Sequence, residues 1–146
     1  MAIHATVVAR HTPRGWRAVL LRGPSGSGKS DTALRLIEAG WRLVADDYAE
    51  VWASGGDLFA TAPPRLAGRI EARGVGLVER PAIAVARVAL IVDCRSERPE
   101  RLPHPEHDVI AGVLLPRLSL DVREASAPVK VASALQTTLG GGALGA

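Results

Sequence analysis

Aromatic side chains are nearly absent from this sequence: three Trp, one Tyr and one Phe make up 3% of its 146 residues. A folded core must therefore be built from Ala, Val, Leu and Ile. Cysteine is scarcer still, and the single Cys94 excludes an internal disulfide framework. No apolar run approaches the roughly 20 residues that a membrane helix needs, so no membrane partner is expected. The opening "MAIHATVVARH" has no basic head followed by a long apolar stretch, so a secretory signal is not expected and the cytoplasm is the expected compartment. Blocks of one charge are missing too. The net charge of +3 arises from 18 cations scattered among 15 acids, without interleaved aromatics to stack bases, so nucleic acid is not an expected partner. Lysine is the last scarcity. Sixteen of the cations are Arg, and the two lysines are Lys29 and Lys130. A compact ammonium fits as a point charge between phosphate oxygens where a planar guanidinium does not, which singles out Lys29.

What is present suits one domain: 47% hydrophobic and 23% charged residues in a chain of this length. "IHATVVARH" alternates as a strand, "TPRG" turns, and "WRAVLLR" has the continuous apolar centre of a buried strand. A helix is predicted from about Lys29 to Ala39, with Ala33, Leu34 and Ile37 on one face and Gly40 as its stop. "WRLVAD" is a strand that ends at Asp46 and Asp47, and "YAEVWA" and "DLFATA" around "SGG" form a hairpin. After the loop "PPRLAG" and the segment "RIEARGVGLV", "AIAVARVALIVD" is the longest β-like run. The Pro-rich stretch 94–108 reads as a surface loop, 109–122 as one or two strands and 127–139 as a terminal helix. The fold class is α/β, with residues 1–139 as one domain and 140–146, "GGGALGA", as a flexible tail.

Between the second strand and the helix stands Gly23-Pro24-Ser25-Gly26-Ser27-Gly28-Lys29-Ser30, which fits G-x4-G-K-[ST] at every fixed position. Glycines allow successive N–H groups to turn towards one anion, and the helix start adds the positive end of its dipole. Lys29 would neutralise the outer phosphates of a nucleotide and Ser30 would ligate Mg2+. A P-loop enzyme also needs a carboxylate at the end of a neighbouring strand. Two strand ends compete: "VALIVD", ending at Asp93, and "RLVAD", ending at Asp46 with Asp47 attached. Paired acids favour a proton acceptor beside a metal ligand, because crowded like charges raise one pKa.

Taken together, "IHATVV", "RGPSGSGKSDTALRLIEAGWRLVADD" and "IEARGVGLV", in this order and spacing, resemble the catalytic domain of HPr kinase/phosphorylase. The resemblance covers residues 3 to 92 and implies a P-loop domain with a mixed sheet and flanking helices, related to phosphoenolpyruvate carboxykinase. It implies an ATP- and Mg2+-dependent kinase acting on a serine of HPr, the phosphocarrier of the phosphotransferase system, and a homo-oligomer, the full-length members being hexamers. By motif, Asp46 matches the general base, Asp47 its assistant and Glu71 an Mg2+ ligand with Ser30. Arg73 and Gly74 belong to Glu71's signature, and His4 matches a His near the phosphate site. Lys29 and Asp31 complete the matched set. Three departures stand out: no N-terminal domain precedes the loop, Asp31 replaces the usual Glu, and the family's C-terminal G-R-N segment has no clear counterpart. Phosphorolysis and the hexamer contacts are therefore not implied.

A small-metabolite kinase of the gluconate or shikimate type opens with the same loop, and Arg95, Arg98 and Arg101 could serve as its lid. A non-catalytic nucleotide sensor is a third reading, against which the intact Lys29, Ser30 and acids count. His104 and His107 lie in "HPEHD" without further metal ligands, and Cys94 lacks a basic cluster or partner.

Overall fold

In the computed structural model, residues 1–95, 100–142 and 144 are described. The strand predicted over "IHATVVARH" is two: β1 (Ala2–His4) and β2 (Thr6–Thr12). The break falls at buried Ala5, whose N–H is taken by the Asp47 carbonyl, so the chain changes partners there. β2 forms a hairpin with β3 (Gly15–Arg22), which leads through the glycine-rich loop into α1 (Lys29–Glu38) and then β4 (Arg42–Ala45). A hairpin of β5 (Tyr48–Ser54) and β6 (Asp57–Thr61) turns at Gly55 and Gly56, both at positive φ as a two-residue hairpin turn needs.

A separate two-stranded hairpin, β7 (Arg69–Ala72) and β8 (Gly76–Glu79), follows a single 3-10 turn at Pro64–Leu66. The ten-residue β9 (Val85–Cys94) is the spine of the fold. It runs parallel to β3 along one side; on the other, Val85–Arg87 pair antiparallel with β6 and Ile91–Cys94 pair parallel with β11 (Val113–Leu120). β10 (Glu106–Ile110) pairs with β11, and α2 (Ala127–Leu139) spans the predicted terminal helix. The predicted loop 94–108 is shorter than expected, because Cys94 ends β9 and residues 106–108 begin β10. Residues 96–99 of it lie outside the described residues, as do 143, 145 and 146 of the predicted tail.

The large sheet runs β1-β5-β6-β9-β3-β2-β4, with β11 and β10 branching from β9. One of its faces is covered by the helices: Ala33, Leu36 and Ile37 of α1 and Val131, Ala134 and Leu135 of α2 pack on Val19, Leu21, Leu90 and Val92. Leu36 is buried with Ala33 and Ile37, and Leu34, half-buried, packs against the same core. Each fully buried Leu or Val contributes roughly 1.5–3 kcal/mol. On the other face the sheet curls onto itself. Ala5, Ala9, Ala18, Ala45, Ala49, Ala60 and Ala86 let the strands close with Leu20, Leu58 and Ile91 between them and no helix. This is how a core almost free of aromatics fills its volume. At the tail, Leu144 packs half-buried against the helix-covered side.

Candidate functional site

The loop follows Arg22 at the end of β3. A Cβ on Gly23 would sit 2.8 Å from the Cys94 carbonyl oxygen and 2.9 Å from Ser27 Oγ, so only glycine fits against β9. Gly28 precedes α1 at φ 100 and makes no side-chain cap bond, so the first N–H groups of the helix are left for a ligand. Lys29, 6% exposed, curls back and donates from Nζ to the carbonyls of Gly23 (2.6 Å) and Pro24 (3.1 Å). Ser30 faces β4 and donates from Oγ to Asp46 Oδ1 at 2.7 Å.

Asp46 is the hub. It is buried at the end of β4, and its Oδ1 also accepts from the Oγ1 of fully buried Thr6 at 2.9 Å, while Oδ2 accepts from the Glu71 N–H at 2.9 Å. One carboxylate thus ties β2, α1 and the β7–β8 hairpin together. A carboxylate offers about four lone-pair sites, so three donors leave one on Oδ2. Asp47 adopts φ 68, a left-handed conformation that Asp tolerates better than most residues. The turn separates the neighbours: Asp46 is sequestered, whereas the Asp47 side chain is 61% exposed and bonded through Oδ1 to His4 Nε2 at 3.0 Å. The His4 ring leans on Tyr48, with centroids 5.5 Å apart.

These residues surround one cavity of about 450 Å³. Ser25, Gly26, Gly28, Lys29, Ser30 and Asp31 form one wall, His4, Thr6, Asp46 and Asp47 the second, and Glu71 and Arg73 the third. Asp31 also pairs with Arg35 at 3.1 Å across one helical turn. Of the loop, Pro24 and Ser27 face away, into a cavity of about 410 Å³ shared with Cys94, Arg95 and Arg123. Burial pushes the Cys94 thiol up to about 12, and this outweighs the opposing pull of Lys29.

Asp93 is not a wall of the first cavity. It is held by Arg22 Nε (2.8 Å) and Nη2 (3.1 Å) and by Arg117 Nη1 (3.4 Å). Arg22 also pairs with Asp108 at 2.9 Å, and Arg117 pairs with Glu106. The bond to Asp93 holds the Arg22 guanidinium above its ordinary value despite burial, and the bond from Arg22 holds the Asp108 carboxyl below its own. Of the two competing strand ends, the one at Asp46 meets the cradle.

No cluster of three metal-ligating side chains occurs among the described residues, His104 and His107 included. Of the three arginines considered as a lid, Arg95 lines the second cavity, Arg101 is exposed on a bend, and Arg98 lies outside the described residues. Sequence reasoning missed Thr6. Its signal was a hydroxyl in an otherwise apolar stretch, at the first residue of β2, just past the break that lets both His4 and Thr6 reach the cavity.

Residues 15–136 match the HPr Serine kinase C-terminal domain family. HPr kinase/phosphorylase from Geobacillus thermodenitrificans is 37% identical over 118 residues, which covers 72% of this chain and 38% of that protein. The Clostridium novyi protein of the same name is 46% identical over 65 residues, 44% of this chain and 21% of that one. The chain thus spans well under half the length of these curated relatives. In three dimensions it is similar to the Hpr(Ser) kinase/phosphatase from Coxiella burnetii, with a TM-score of 0.80 over 97% of each chain at 21% identity, which supports the shared mixed α/β fold. The extent of the family match, over a fold that sets Lys29, Ser30 and Asp46 around one cavity, establishes that this chain belongs to the HPr serine kinase C-terminal domain family.

Proposed function

We propose that this chain is an ATP-dependent protein-serine kinase whose acceptor is an HPr-like phosphocarrier. The observation that carries the reading is Asp46, buried against the glycine-rich loop with one lone pair free on a cavity that also holds Lys29 and Ser30. The uncapped N–H groups of α1 fit an anion. Lys29 would leave the carbonyls of Gly23 and Pro24 for the outer phosphates. Ser30 and Glu71 would hold Mg2+; a donor set of few protein oxygens suits an ion that keeps water and phosphate as its other ligands. When bound, that ion offsets charge on the phosphate oxygens.

The acceptor serine enters from the rim marked by Asp47 and His4. Its Oγ attacks the terminal phosphorus, an O–P bond forms as the bond to the nucleoside diphosphate breaks, and the hydroxyl proton passes to Asp46. Asp47, oriented by His4, assists at the rim without being sequestered. The same reading makes residues 1–139 the catalytic unit, places it in the cytoplasm and allows self-association. No helix among the described residues is long and apolar enough to cross a membrane.

Incubation with Mg-ATP and a panel of acceptors, with mass spectrometry to place the phosphate, tests the reading. Phosphoserine on an HPr-type protein is the expected product. A phosphorylated sugar or shikimate beside an untouched HPr-type protein would identify a small-metabolite kinase instead.

A further inference from the structure

Far from the cradle, strand pairing assembles a row that the sequence disperses. Arg10 of β2 is in register with Arg17 of β3, Arg17 with Arg87 of β9, Arg87 with Phe59 of β6, and Phe59 with Trp52 of β5. Residues paired in this way point to the same face of a sheet. Arg17 lies on β3 about 16 Å before Arg22 at 3.3 Å per residue, so the row crosses the end of the sheet opposite the loop. Trp52 is 39% exposed and stacks on Phe59 with centroids 6.1 Å apart.

Charge along this row is one-sided. Arg87 pairs with Asp57 at 2.8 Å, and no ion pair reaches Arg10, Arg14 or Arg17 among the described residues. Burial and the nearby Arg87 hold the Arg17 guanidinium below its ordinary value, Arg14 adds to this, and Asp57 opposes it. At the Arg10 end the row opens into a cavity of about 330 Å³ between the β2–β3 turn and the last turn of α2, with Pro13, Leu135 and Leu139 in its walls and Arg14 at its side.

We infer that this row is a docking surface for an acidic segment of a partner protein, with apolar side chains flanking the acids. The order along the surface is an apolar socket, a run of guanidinium groups, then a stacked aromatic pair. Carboxylates suit the guanidinium forks. The apolar socket favours a peptide among polyanions: walled by Pro13, Leu135 and Leu139, it suits an aliphatic side chain, whereas a base would bring polar edges that those walls leave unpaired. Five strands at about 4.8 Å spacing give a span of roughly 19 Å, the length of about six extended residues. The inference is independent of the chemistry assigned to the cradle.

Fluorescence anisotropy with a labelled peptide, Leu-Glu-Asp-Glu-Asp-Phe, tests it at physiological ionic strength. The controls are its Gln/Asn analogue, an acidic peptide with Gly in place of Leu and Phe, and a single-stranded oligonucleotide of equal charge. Saturable binding is expected, at least tenfold weaker for each control. The double variant Arg10→Glu/Arg87→Gln and the single variant Trp52→Ala should each weaken it at least fivefold, with nucleotide binding at the cradle unchanged and circular dichroism confirming the fold. Equal binding of the Gly-flanked peptide would reduce the row to a plain polyelectrolyte surface and overturn the inference. Tighter binding of the oligonucleotide would overturn it in favour of nucleic acid. Variants that bind the peptide as the wild type does would show that the row is not the site.

Discussion

Asp46 and Glu71 are hydrogen-bonded to one another through a backbone N–H, yet the roles proposed for them separate cleanly. A base is needed only when a serine hydroxyl is present, whereas a metal ligand is needed whenever Mg-nucleotide binds. Asp46→Asn should slow phosphoryl transfer by about 10²–10⁴-fold, the usual range for general-base catalysis, with little change in nucleotide affinity. Glu71→Gln should weaken Mg2+ binding and turnover together, and a magnesium titration of both variants would expose a reversal. Lys29→Ala should remove most nucleotide-dependent activity while preserving the fold, since Nζ touches loop carbonyls and not the apolar core. Wild-type turnover in that variant would contradict the cradle. The loop and the aspartate pair were legible from sequence because glycine spacing and strand-end acids are local features. The split between a sequestered Asp46 and an exposed Asp47 was not, because it depends on a left-handed residue and on Thr6 from another strand.

Among the elements, the turn into α1 carries the sharpest demand on residue type. Gly28→Ala would place a Cβ at φ 100 and 3.2 Å from Val122 Cγ2, so a stability loss of about 1–2 kcal/mol is expected from the backbone alone. Chemical denaturation would measure it, and an unchanged midpoint would show that the loop relaxes freely. α2 was legible over its full predicted range and α1 nearly so, because their apolar spacing and stops are sequence-local. The division of "IHATVVARH" at Ala5 was hidden, since both halves alternate alike and only their partners differ. The early start of β10 was masked by Pro103, His104 and Pro105 before it, and Glu106 and Asp108 are secured there by Arg117 and Arg22, distant in the chain.

For the molecule as a whole, the curled sheet with its forked spine could not be read from sequence, because register between β9 and three partners is a long-range property. Alanine supplied a hint only in retrospect. One consequence is a pH dependence. An unfolded Cys94 thiol ionises near its ordinary value of 9.0, while burial keeps the folded thiol protonated to about 12. Across that window the folded state binds more protons, so stability falls as pH rises, and the fall should be shallower in Cys94→Ala. Equal slopes in the two proteins would contradict the burial of the thiol. Truncation of residues 140–146 removes half-buried Leu144 and the N–H groups that Gly140, Gly141 and Gly142 donate to the last turn of α2, so a loss of about 1–3 kcal/mol is expected, with activity intact. An unchanged melting temperature would show that these contacts contribute nothing to stability.

One measurement bears most directly on the proposed transfer of phosphate to a protein serine with Asp46 as the base. Wild type and Asp46→Asn are incubated side by side with Mg-ATP and an HPr-type protein, and the acceptor is mapped by mass spectrometry. Phosphoserine at one position is expected with the wild type and almost none with the variant, at equal nucleotide occupancy. An unmodified acceptor with the wild type, or equal phosphoserine with both, would contradict the proposed transfer.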